Sequence, residues 1–240
     1  MKLLMTGNEA IARGAYEAGV RFASAYPGTP STEILENVAT YKEDIVAEWA
    51  TNEKVALEAA IGGSIAGART MASMKHVGVN VAADPLFTFS YTGVNGGMVL
   101  ITADEPGMHS SQNEQDNRNY AKFAKIAMFE PSTSQEAKDM LKEAFEISEK
   151  YDTPVLFRVT TRLCHSKGIV ECSDRVEVPI NEYIKNPKKN LTVPAHARIK
   201  RVELEDRMKK LLKYSNSTSL NYYEINDTKI GIVASGMCYT

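Results

Sequence analysis

Four stretches of this sequence concentrate groups able to do chemistry. Tyr26-Pro27-Gly28-Thr29-Pro30-Ser31-Thr32 sets hydroxyls beside a glycine that lets the backbone approach a ligand. A helix starting there would add unpaired N–H donors; a plain capped turn explains the same residues. Trp49-Ala50-Thr51-Asn52-Glu53-Lys54 places Glu53 in the first turn of a helix. That carboxylate complements a helix dipole. A buried carboxyl with a raised pKa, able to hold or pass a proton, is the functional alternative. The residues that follow, Ala56 to Ala68, are mostly Ala, Gly and Ser, so another helix or a ligand can come close. Met74-Lys75-His76-Val77-Gly78-Val79-Asn80 is the third stretch, and the polar run Asp104 to Asp116, with His109, Gln112 and Asn113, is the fourth. His76 and His109 match no metal-ligand spacing. A GxSxG elbow, a Walker motif and GxGxxG are all absent.

These stretches need elements to hold them. Helical patterning over residues 8–20 precedes a short strand at 22–26. Thr29-Pro30 then reads as a helix start, with Thr at the cap and Pro at the first helical position. Residues 44–49, 69–75, 97–103, 124–129 and 154–161 are strand-like, and residues 52–68 are helical. Ser132/Gln135 and Thr133/Glu136 are capping-box spacings for a helix whose Ala137, Met140, Leu141, Ala144 and Phe145 share one face. The uncharged run Pro85 to Ala103 contains Gly93, Asn95, Gly96 and Gly97, which breaks it into helix, turn and strand in a soluble core. Alternating helices and strands predict an α/β fold of three layers, α/β/α, with a mainly parallel sheet. Each polar stretch follows a strand, which is where open α/β sheets bind ligands.

Five blocks, GNEAIARGAYEAG, YPGTPSTEI, NEKVALEAAIGGSIAGAR, MKHVGVNVAADP and PGMHSSQNEQDNRNYAKFAKI, occur in an order that resembles the thiamine-diphosphate-dependent 2-oxoacid:ferredoxin oxidoreductases. The resemblance is densest over residues 3 to about 165 and closest to the branch acting on arylpyruvates such as indolepyruvate. It implies that residues 1–165 form the domain that binds the aminopyrimidine ring of thiamine diphosphate. Glu53 matches the family glutamate that hydrogen-bonds the pyrimidine, and Thr29 a threonine at the reacting centre. Pro27 and Gly28 lie in the same cofactor-binding turn. His76, Asn80, His109, Gln112 and Asn113 fall in family blocks and are expected to face substrate. Pyruvate-specific relatives carry an arginine near Thr102–Glu105; Asp104-Glu105 stands there in this sequence, which speaks against pyruvate and leaves the carboxylate partner open, Lys75 or His76 being able to substitute. The implied reaction is oxidative decarboxylation of an arylpyruvate to acyl-coenzyme A and CO2, with ferredoxin reduced. Another 2-oxoacid, such as 2-oxoglutarate or a branched-chain one, and a non-catalytic binding or assembly module are the alternatives.

The chain has 240 residues, a net charge of −2, 43% hydrophobic and 24% charged residues, which excludes disordered and collagen-like classes. Its three cysteines, Cys164, Cys172 and Cys238, form no CxxC pair and cannot hold an iron–sulfur centre. The family's 4Fe-4S clusters and its GDG diphosphate–Mg2+ motif are therefore expected outside these residues, as is a second, smaller subunit. Half a cofactor site implies an oligomer. Odd cysteine usage and no signal-like N-terminus predict a cytoplasmic protein. Residues 185–213 hold ten Lys/Arg against three Asp/Glu, a net of +7 that leaves the remainder at −9. No aromatics interleave there, so a solvated connector, residues 166–228, is expected rather than a nucleic-acid surface. Its helix has an apolar face of Leu204, Met208, Leu211 and Leu212. KIGIVA, Lys229 to Ala234, reads as the first strand of a second α/β domain spanning residues 229–240, and as a sign that the chain is the front part of something longer.

Overall fold

The computed structural model describes all 240 residues. Eight strands form in chain order: β1 (Lys2–Thr6), β2 (Phe22–Ala25), β3 (Val46–Trp49), β4 (Thr70–Lys75), β5 (Met98–Asp104), β6 (Ala127–Phe129), β7 (Val155–Thr160) and β8 (Lys167–Glu171). Between and after them lie α1 (Gly7–Glu17), α2 (Thr32–Val38), α3 (Glu53–Ile65), α4 (His76–Val81), α5 (Ala83–Thr92), α6 (Arg118–Ala124), α7 (Ser134–Tyr151), α8 (Thr161–His165), α9 (Pro187–Asn190) and α10 (Pro194–Ser217).

Six strands make one parallel sheet in the order β3-β2-β4-β5-β7-β6. β1 and β8 pair antiparallel apart from it, Lys2 opposite Glu171 and Thr6 opposite Lys167. Strand alternation divides the core. Val99, Ile101 and Ala103 of β5 face a core with Ile11, Ile34 and Leu35 of α1 and α2, and Leu141 and Phe145 of α7. Met98 and Leu100 face the other core, with Leu57 of α3, Val79 of α4 and Phe89 of α5. Both faces of β5 are thus buried, which explains its unbroken apolar run. This is the expected three-layer α/β/α architecture.

Caps fix the helix starts that aim the loops. Thr6 Oγ1 accepts from Glu9 N (3.2 Å), while Thr6 N donates to Glu9 Oε2 (2.6 Å), a full capping box. Of the two spacings before α7, Thr133 is the cap, accepting from Glu136 N; the Glu136 carboxylate accepts from Ser132 N and Oγ (2.8 and 2.6 Å).

α1 and α7 are tied by charge as well as packing. The fully buried Glu17 carboxylate accepts from Arg13 Nε (2.9 Å), Lys138 Nζ (3.1 Å), Lys142 Nζ (3.2 Å) and Ser173 N (2.7 Å). Burial opposes its ionisation, but these donors outweigh burial and hold its pKa below the usual carboxylate value. A depressed folded pKa contributes stability that is present above the unfolded value and lost as pH falls through the folded one. The expected result is that Glu17→Gln is less stable than wild type at neutral pH and that the gap narrows on acidification below the ordinary carboxylate range. Thermal melts at stepped pH check this; a gap independent of pH would refute it.

Three expectations need correction. α2 starts at Thr32, not at Pro30, because the preceding turn closes on itself: Ser31 N and Oγ donate to Gly28 O (2.9 and 2.7 Å), and Gly28 N donates to Thr32 Oγ1 (2.9 Å). The Thr29–Pro30 peptide is cis. Leu212 lies on the solvent side of α10, while Leu204 and Leu211 are buried and Arg207 fills the face between them, donating to Ser90 O (2.7 Å). Lys229–Ala234 forms no strand: no strand of this chain pairs with it, and Ile232 and Val233 are 87% and 100% exposed.

Candidate functional site

The sheet order creates a switch point. The chain leaves β2 toward β3 on one side, then returns past β2 to β4 on the other. The loops after β2 and β4 therefore diverge at adjacent strand ends, and that crevice is where doubly wound sheets bind ligands. Ala25 and Ser73 are partners in the β2–β4 register, so the turn at Pro27-Gly28-Thr29 and the β4–α4 junction at Lys75-His76 rim the crevice.

Two close approaches define this rim. A Cβ on Gly28 would lie 3.1 Å from the Cβ of Lys75, so the two loops are nearly in contact. From the other side Glu53, at the start of α3, lies against Gly78 of α4. Asn52 caps α3, its Oδ1 accepting from Val55 N (3.0 Å). The Glu53 side chain is half-buried rather than enclosed, because α3 presents only Ala56, Leu57, Ala60 and Ser64 to the core. No donor of this chain bonds to its carboxylate. Tyr26, Trp49, Val55 and Met108 expose apolar side chains on the elements around it.

The loop after β5 is held over the strand ends by a buried polar network. Asn117, fully buried, donates from Nδ2 to Thr102 Oγ1 (2.6 Å) and to His76 O (3.1 Å), and from its backbone N to Asp104 Oδ2 (2.9 Å). Gln115 Nε2 also donates to His76 O (2.9 Å). Arg158 on β7 donates to Asp104 Oδ2 (2.7 Å) and to Glu130. Burial pushes the Asp104 carboxyl above its usual value; Arg158 and the Asn117 N–H oppose that rise without cancelling it. Glu105 goes the other way: burial raises it, but donors from Ser111 and Ser110, with Lys75 at 3.7 Å, outweigh burial and lower it.

The residues singled out from sequence fall in two groups. Glu53, Pro27, Gly28 and Thr29 rim the crevice, Thr29 exposed. His76 is fully buried, its Nε2 donating to Asn113 O (3.1 Å) and its Nδ1 without a partner. Asn80 is exposed and bonded to Gln115 and Tyr120 (2.8 and 2.6 Å). His109, Gln112 and Asn113 project from the exposed loop after β5, where Asn113 reaches His76 through its backbone only. Lys75 Nζ is engaged by Ser110 O (3.1 Å). Asn117, Arg158 and Gly78 were not singled out. Asn117 stood inside a quoted block, but nothing in the sequence pairs Asp104 with an arginine 54 positions later.

A doubly wound sheet with glycine-packed loops and an unpartnered carboxylate at its switch-point crevice has the form of a cofactor-binding α/β domain. The model of one family, described as "Pyruvate flavodoxin/ferredoxin oxidoreductase, thiamine diP-bdg", matches residues 13–220. This chain belongs to that family, through its thiamine-diphosphate-binding domain. Among curated relatives it is 49% identical to the indolepyruvate oxidoreductase subunit IorA of Archaeoglobus fulgidus, over 99% of this chain and 40% of the relative. It is 31% identical to the 2-oxoglutarate synthase subunit KorA of Methanothermobacter thermautotrophicus, over 72% of this chain and 48% of the relative. The chain thus spans under half the length of these relatives. The 2-oxoglutarate:ferredoxin oxidoreductase of Magnetococcus marinus shares the fold, with a TM-score of 0.70 at 18% identity over 89% of this chain and 45% of that one. No helix is long and apolar enough to cross a membrane.

Proposed function

We propose that this chain is the pyrimidine-binding part of the catalytic α subunit of a ferredoxin-dependent oxidoreductase that decarboxylates arylpyruvates, indolepyruvate among them. One observation carries the cofactor reading: Glu53 presents a carboxylate with no partner in this chain at the mouth of the switch-point crevice. The substrate class follows the relatives, at 49% identity for the indolepyruvate subunit against 31% for the 2-oxoglutarate one.

The residues present fit an aminopyrimidine ring. Gly28 and Gly78 let the side chains of Lys75 and Glu53 lie close against the β2 turn and α4, and Glu53 accepts a hydrogen bond from a ring N–H or shares a proton with a ring nitrogen. Thiamine diphosphate, when bound, supplies the nucleophilic carbon needed for a 2-oxoacid to lose CO2. Glu53 then holds and returns one proton, and Thr29 offers a hydroxyl at the reacting side. The exposed Tyr26, Trp49 and Val55 exclude water once a partner surface covers them. Asn80, His109, Gln112 and Asn113 are assigned to the substrate side, and the enclosed His76 serves that side by holding the loop through Asn113 O. Asp104 engages Arg158 and Glu105 engages Lys75, so these cations are already committed and the substrate carboxylate is met from elsewhere.

The rest of the assignment follows from the same reading. Residues 1–165 are the pyrimidine domain, 166–228 its connector, and 229–240 lead into a second α/β domain. Mg2+, the cofactor's diphosphate contacts and the 4Fe-4S clusters belong to other parts of the complete enzyme. Its partners are a smaller subunit, ferredoxin and coenzyme A, in the cytoplasm.

The test is the complete enzyme assayed for 2-oxoacid-dependent ferredoxin reduction. Indolepyruvate should give the highest kcat/KM; 2-oxoglutarate ahead of indolepyruvate would overturn the substrate class, and no dependence on thiamine diphosphate would overturn the cofactor reading.

A further inference from the structure

Glu53 rests on a residue that has no side chain. A Cβ added to Gly78 would meet Glu53 Cγ at 2.6 Å, Oε1 at 2.7 Å and Cδ at 2.9 Å, all closer than real Cβ contacts come. The backbone conformation does not explain the glycine. Gly78 lies inside α4 and is not among the glycines with positive φ. Glycine is the poorest helix former after proline, so a short helix gains nothing from it locally.

The helix backbones on both sides of this contact are held, so the half-buried Glu53 side chain is what has to give way. α4 is pinned at its first residue, where His76 O accepts from both Gln115 Nε2 and Asn117 Nδ2. Its Val79 side chain is buried in the core beside Leu57 of α3. α3 is fixed at its start by the Asn52 cap, and Lys54 Nζ reaches Asp84 Oδ2 of α5 (2.9 Å). The gap between the two helices therefore has a set width, and the Glu53 carboxylate fills it.

We propose that Gly78 is a positioning residue for Glu53: the missing side chain leaves the room in which the carboxylate lies across α4 and points toward the crevice. This rests on the role given to Glu53 above. A methyl group at 78 would push the carboxylate to another rotamer, and a misplacement of about 1 Å costs on the order of 100-fold in rate.

The test is a cycle in the complete enzyme: Gly78→Ala, Glu53→Ala and the double variant, with Glu53→Gln beside them. Gly78→Ala should weaken thiamine diphosphate–Mg2+ binding by calorimetry and lower turnover on the order of 100-fold. It should also lower the melting temperature while Glu53 is present. In the Glu53→Ala background the obstructing atoms are gone, so the same substitution should leave the melting temperature unchanged or raise it, because alanine favours the helix. Equal loss of stability in both backgrounds would overturn the proposal. If Glu53→Gln keeps full turnover and cofactor affinity, the role of Glu53 fails instead, while the melting-temperature cycle still decides whether Gly78 sets its position.

Discussion

Replacing Glu53 by Gln lowers kcat of the complete enzyme on the order of 10²–10⁴-fold, the range that a positioned general acid–base group contributes. Gln keeps the length of the side chain and an acceptor oxygen, so it still fits the space above Gly78. What it loses is the capacity to take and return a proton. Stability should fall by no more than about 1 kcal/mol, the usual worth of a negative charge in a helix's first turn, since the Glu53 carboxylate has no donor in this chain to lose. Steady-state ferredoxin reduction and a thermal melt on the same preparation separate the two effects. A fall in activity matched by a fall in melting temperature would show a structural carboxylate, and unchanged kcat would remove Glu53 from the chemistry.

Arg158→Leu is expected to cost about 3–5 kcal/mol at neutral pH, the usual penalty for stranding one partner of a buried ion pair. Arg158 and Asp104 are both almost fully buried and bond at 2.7 Å, and Arg158 also holds Glu130. Without the guanidinium, Asp104 keeps only Asn117 N and Thr102 Oγ1. For a domain of this size a loss of about 3 kcal/mol lowers the melting temperature by about 6–12 °C. The pH dependence has a definite sign. Burial already raises the folded pKa of Asp104, and removing Arg158 raises it further. A raised carboxyl contributes stability that is complete below the unfolded pKa and lost as pH rises through the folded one. The deficit of Arg158→Leu should therefore widen from acid toward neutral pH. Melts of both proteins across that interval measure it; a constant deficit would mean that packing, and not the stranded carboxylate, carries the loss.

These two predictions differ in how they could be reached. Glu53 was visible from sequence through a local cue, a carboxylate in the first turn of a helix with small residues after it, which a helix dipole explains equally well; the family resemblance gave it a chemical role. The strand-end position of each polar stretch was equally legible, since doubly buried parallel strands announce themselves as short apolar runs and amphipathic helices by a period of 3.6 residues. Arg158 had no such cue. Its partner lies on another strand, and residue spacing carries no information about which strands become neighbours. Gly78 was quoted in a block without a role, because a missing side chain has meaning only when the atoms that would collide with it are known.

The sequence by itself determined the alternation of helices and strands, the mainly parallel sheet in three layers, the family and the candidate carboxylate. All rest on short-range patterns that survive in one dimension. The tertiary structure decided the order β3-β2-β4-β5-β7-β6, and with it the switch point beside β2 and β4. It decided that α2 waits until Thr32, that His76 is enclosed while His109 is not, and that Lys229–Ala234 makes no strand here. Each of these depends on what a segment packs against, a pairing between distant residues that only the folded chain brings into contact.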